Sequence, residues 1–191
     1  MLEQEIKSYL IRTGIPFTDS SASHTALDFL LTRHNIHIDA KEKRQPFSMQ
    51  NWKEAPMPQE FLFIIDDLAV RKVLLSAPNS FILIQDSSAS PVTYYVYSIV
   101  DLLCIPKIRC RRPIRRSTAA FKGKWLVDLR NAATFQSLED SINYIIAYTK
   151  KRKAVFETHI DCWGKYPTER LATSGSVRTS KYWEEDSKAH S

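Results

Sequence analysis

Residues 27–43 read LDFLLTRHNIHIDAKEK, with apolar and polar positions alternating on both sides of the polar run 32–35. A period of two is the period of a strand, and two such segments about a short polar link make an antiparallel hairpin. With the turn centred between Arg33 and His34, paired residues have numbers that sum to 67, so Asp28 stands opposite Asp39. One face then carries Leu27, Phe29 and Leu31 against Ile36, Ile38 and Ala40. The other carries Asp28, Asp39 and, two residues along, Lys41. Like charges directly opposite destabilise a sheet, and partial burial makes this worse. A divalent cation removes the conflict. Mg²⁺ takes oxygen ligands and is commonly held by one or two carboxylates together with water and substrate phosphate. A lysine beside it can orient or deprotonate an attacking water, or stabilise charge developing on a phosphate. The plainer alternative is a surface ion pair between Lys41 and one of the aspartates on the wet side of the hairpin.

The remaining elements are read from periodicity and turn signals. Leu2, Ile6, Tyr9 and Leu10 fall at helical spacing, with Gly14 and Pro16 ending the segment, and residues 17–24 read as a loop. Residues 44–60, with three prolines, suit a loop, in which Trp52 and Met49 either cover a substrate or plug against the strand that follows. Strands are expected at 61–65, 81–85, 92–97 and 124–129, and helices at 68–76, 99–104 and 138–149. Asp66 or Asp67 is placed to cap the first of these helices. The expected organisation is one α/β domain over residues 1–160, followed by a polar C-terminal tail or extension over 161–191.

With 43% hydrophobic and 25% charged residues, the composition is globular. No apolar run is long enough to span a membrane, and the N-terminus lacks the apolar stretch of a signal peptide, so a cytoplasmic protein with no membrane association is expected. Cys104, Cys110 and Cys162 are odd in number and form no CxxC pair, which fits neither a disulfide framework nor a cysteine-rich zinc site. His24, His34 and His37 show no recurring ligand spacing. The net charge of +6 is concentrated in the segment 107–124, which holds Lys107, Arg109, Arg111, Arg112, Arg115, Arg116, Lys122 and Lys124 and no acidic residue. A local patch of this kind points to a polyanion, and arginine's planar fork suits phosphate oxygens. A solvated loop or a subunit contact is the bland reading of the same residues.

The order of these features resembles the PD-(D/E)xK nuclease superfamily over roughly residues 2–97. Asp28 matches the first acidic position and Asp39-Ala40-Lys41 the D/E-x-K triplet, while Leu27 stands where a proline often precedes the acid. The resemblance implies a restriction-endonuclease-like core, a central mixed β-sheet flanked by helices. It implies Mg²⁺, with Mn²⁺ able to substitute, held by Asp28, Asp39 and the Ala40 carbonyl. Glu5 from the preceding helix would complete the site, with Glu3 the lesser candidate, and Lys41 would activate or position water. The expected activity is metal-dependent DNA endonuclease cleavage, by a homodimer or beside a partner subunit. The alternative is a catalytically silent, nucleic-acid-binding subunit of a larger complex. A scaffold whose basic patch binds protein is a third class.

Overall fold

The computed structural model describes residues 1–23, 25–88, 90–113 and 121–159, with backbone only at residues 113 and 152–159. In α1 (Leu2–Thr13), Leu2, Ile6, Tyr9 and Leu10 are buried as one stripe, and Gly14 at φ 66° ends the helix in the left-handed region that glycine tolerates. β2 (Phe29–Leu31) and β3 (Ile36–Lys43) pair antiparallel, Phe29 with Ile38 and Leu31 with Ile36, which is the register expected from the sequence. The link needs no Asn-Gly because it is four residues long and closes on Asn35 at φ 50°, a conformation asparagine accepts. β1 (Phe17–Asp19), read as loop from the sequence, pairs with β2; three residues are too few to show a period.

β3 is followed by β4 (Leu62–Asp66) and α2 (Asp67–Leu75), and the chain then returns as β5 (Ser80–Asp86), parallel to β3. All seven residues of β5 are buried, as a strand covered on both faces requires. β6 (Thr93–Ser98) and β9 (Ala133–Phe135) complete a six-stranded mixed sheet in the order β1-β2-β3-β5-β6-β9. A second sheet of three strands runs β4-β8-β7, where β7 is Lys107–Pro113 and β8 is Phe121–Asp128. That β4 leaves the main sheet to pair with β8 is a contact between residues some 60 positions apart, and local pattern carries no trace of it.

The large sheet separates two cores. On one side α1 and α4 (Leu138–His159) cover Phe29, Ile38, Leu83 and Val96. On the other, Ile82, Ile84 and Tyr97 meet α2, α3 (Ile99–Cys104) and the inner face of the small sheet through Val73, Leu102 and Trp125. Leu27 belongs to this second core and not to the Phe29 face, because β2 begins only at Phe29 and the chain before it has left the pleat. A third cluster, Met57, Leu62 and Leu126, takes up Met49 and Trp52, so the proline-containing loop plugs the outer face of the small sheet.

The described residues therefore form an α/β fold with a mixed six-stranded sheet, a three-stranded sheet and four α-helices. Met1–Thr149 forms one unit, and of the unit that begins at Lys150 only the end of α4 is described. The tail expected over 161–191 lies outside the described residues. Among the described residues no helix is long and apolar enough to cross a membrane.

Candidate active site and basic ribbon

β3 outruns its partner: β2 pairs with it only as far as Ile38, and the next five residues meet no strand on that side among the described residues. Main-chain groups of alternate residues point to alternate neighbours, so Ala40 presents both N–H and C=O to this open edge. Asp28, just before β2, turns its carboxylate there, and Oδ2 accepts the Ala40 N–H at 2.7 Å. The side chain takes the place of the missing strand.

Asp39 points to the opposite side of the pleat from Ala40 and is 3% exposed. Lys41 folds back along the strand so that its Nζ lies 2.7 Å from Asp39 Oδ2, while donating to the Ala40 carbonyl at 3.2 Å. Asp39 Oδ2 is nonetheless buried without an aligned hydrogen-bond donor. Burial pushes the Asp39 carboxyl above the ordinary carboxylate range; Asp28 pushes it further, and Lys41 and Lys72 oppose both. The conflict between opposed aspartates is thus relieved in part by protein groups, an amide for Asp28 and an ammonium for Asp39. His37, two residues before Asp39 on the same face, is half-buried, and burial lowers its imidazole pKa so that the ring stands neutral near pH 7.

Glu5 does not join this group. It flanks the buried stripe of α1 on the side of β5 and β6, where it accepts from Gln85 Nε2 at 2.8 Å and from Tyr94 Oη at 3.2 Å. Glu3 is the helix carboxylate on the other flank. Burial raises its pKa, Asp28 raises it further, and Lys41 lowers it, so its charge is felt within the Asp28–Lys41 group. A helical wheel puts Glu3 and Glu5 on opposite flanks of the stripe, but only the direction of α1 across the sheet tells which flank meets β2.

Among the described residues no three His, Cys, Asp or Glu side chains converge on a metal position. The oxygens brought together are Asp39 Oδ2 and the Ala40 carbonyl, both touched by Lys41 Nζ, with the Asp28 carboxylate on the Ala40 amide, an all-oxygen set short of a full shell. Such a set fits Mg²⁺, which retains waters and completes its coordination with substrate phosphate. The Lys41 ammonium, touching both Asp39 and the Ala40 carbonyl, stands where a divalent cation would meet those oxygens.

The basic segment forms the β7–β8 ribbon, and its cations have different duties. Lys107 donates to the carbonyls of Leu103 and Ile105, closing the end of α3, and its ammonium lies 5.5 Å from the Trp125 ring centre. Arg112 pairs with Glu54 at 2.9 Å and lies over the Trp52 ring, pinning the loop beneath the ribbon. These two are structural. Arg109 and Lys124 pair with Asp67 and Asp66. Arg111 and Lys122 are exposed and form no ion pair among the described residues. Arg115 and Arg116 lie outside the described residues. Two further basic residues come from α2, which the sequence did not single out as a binding element: Arg71, paired with Asp67, and Lys72, which donates to the Ala26 carbonyl beside Asp28.

No protein-family model matches the chain. No curated protein or solved structure matches it significantly either.

Proposed function

We propose that the chain is a metal-dependent DNA endonuclease of the PD-(D/E)xK type on a restriction-endonuclease-like core. The observation that carries this reading is the Lys41 ammonium bridging buried Asp39 and the Ala40 carbonyl beside the Asp28 carboxylate. Asp28, Asp39 and the Ala40 carbonyl would hold Mg²⁺ or Mn²⁺, with Glu3, in place of Glu5, reaching the site through water. The bound ion supplies Lewis-acid polarisation of the phosphate and a more acidic bound water. Lys41, released from Asp39, positions the attacking water and faces the charge that develops on phosphorus-bound oxygens. Water adds to phosphorus, the P–O bond to the leaving sugar oxygen breaks, and that oxygen takes up a proton. The basic ribbon holds the polyanion. One site per chain cuts one strand, so double-strand cleavage calls for a second copy or a partner nuclease subunit. The competing reading, a silent nucleic-acid-binding subunit, draws on the incomplete ligand set and keeps the ribbon's role.

The deciding experiment measures cleavage of supercoiled, linear and branched DNA in Mg²⁺ or Mn²⁺ by the wild type, D39A and K41A. Cutting that is lost in both variants, with folding and DNA binding retained, is the expected result. Equal cutting by all three overturns the assignment; DNA binding without cutting by any of them favours the silent subunit.

A further inference from the structure

We propose that the groove between the start of α2 and the β7–β8 ribbon binds the phosphates of a nucleic-acid strand through Arg71, Arg109 and Arg111. The inference rests on the nucleic-acid part of the reading above and is independent of whether the Asp39 site cuts.

The groove has a volume of about 540 Å³ and is lined by four basic side chains, those three arginines and Lys124, against the single carboxylate of Asp67. A second depression continues it past Lys122. The carboxylate is a fastener more than an obstacle to anions. Asp67 accepts from Trp125 Nε1 at 2.9 Å, from Arg71 Nε at 2.8 Å and from Arg109 Nη2 at 3.1 Å. The Trp125 donor does most to hold its pKa below the ordinary range, with the two arginines adding to it, so Asp67 stays charged.

Each guanidinium has five N–H donors, and Asp67 takes one from Arg71 and one from Arg109. The rest face solvent, since the two side chains are 72% and 63% exposed. Arg109 also rests 5.1 Å from the Trp125 ring centre. Arginine forks with donors to spare suit phosphate oxygens. Gly123 is what lets the two walls approach: a Cβ there would stand 2.8 Å from Asp67 Cβ.

The test measures binding of fluorescent single- and double-stranded DNA to the full chain by anisotropy across a salt series, in EDTA so that nothing is cut. Wild type, R71A, R71K, R111A and, as a control on α1, R12A are compared. R71A and R111A should each weaken binding by about tenfold and flatten the salt dependence by about one released ion. R71K should recover part of the loss, and R12A should match the wild type. Should R71A lower Tm, R111A decides, since that side chain is exposed and unpaired among the described residues. DNA binding by the wild type that R71A and R111A leave unchanged overturns the groove while the nucleic-acid reading stands on another surface. In a parallel titration with tripolyphosphate, binding of that anion but of neither DNA overturns a nucleic-acid strand as the occupant, and no binding of DNA or tripolyphosphate overturns the groove and the nucleic-acid reading together.

Discussion

Asp39 and Lys41 form one ion pair whose partners differ in burial, 4% against 33% side-chain exposure, and that asymmetry decides what each substitution does. Removing the lysine leaves a carboxylate inside the protein with only Lys72 opposing its burial; removing the aspartate frees a lysine that can reach water. Without metal, K41M should therefore lower stability at pH 7 by about 1–3 kcal/mol. D39N should raise Tm in EDTA by roughly 2–4 °C, equivalent to about 1 kcal/mol, and thermal melts of both variants check the opposite signs. The same carboxyl sets a pH dependence. Its folded pKa lies above the ordinary 3.8, so between the two values the folded chain holds a proton that the unfolded chain has lost. Over that interval stability falls as pH rises, and a cation bound at Asp39 reverses the slope. Carboxyl NMR of Asp39 should show a midpoint above 3.8 that moves down in D28N and up in K41M. Strand alternation puts Asp39 and Lys41 on one face, as the sequence suggests, whereas Asp28 lies before β2 and comes to the Ala40 amide by its side chain and not by the pleat. Which of Glu3 and Glu5 flanks the Asp28–Lys41 group was not legible, because that depends on the way α1 crosses the sheet.

At the scale of elements, Gly123 of β8 pairs with Arg111 of β7 and sits next to Lys124, where the ladder to β4 ends at Asp66, so its backbone has little room to yield. In G123A the added methyl meets Asp67 Cβ, and Asp67 must move instead, loosening its hold on Trp125, Arg71 and Arg109. The expected cost is about 1–3 kcal/mol by urea unfolding, with weaker DNA binding, and D67G in the same background should not restore the stability, because it relieves the clash only by removing the acceptor of Trp125 Nε1. Helices and strands with a full period were read correctly from sequence, among them α1, α2, β5, β6 and the start of α4. β1 and β9, three residues each, were missed because so short a stretch has no period. The division into two sheets was missed for a different reason, since β4 and β8 pair across some 60 residues and local pattern carries no sign of it.

Across the whole molecule, Lys43 is the tie between parts. It is 1% exposed, pairs with Asp86 on β5 at 2.9 Å and donates to the Glu60 carbonyl just ahead of β4, linking the main sheet to the chain that builds the small one. K43M should cost about 3–5 kcal/mol by leaving Asp86 buried and unpaired, while K43M/D86L should recover most of it, measured by denaturant unfolding. The alternating pattern exposed Lys43 as a charged residue, but not its burial, which depends on a carbonyl 17 positions away. The overhang of β3 past β2 has a bearing on self-association as well as on chemistry. A strand with one bare side is a template on which a stranger's extended segment can dock and begin a growing stack. Here the bare side is occupied by the Asp28 carboxylate and flanked by Lys41, Glu42 and Arg44, so an incoming backbone meets charge before it meets a ladder. The charged residues of the proposed site thus also stand guard on this open edge against pairing with another chain.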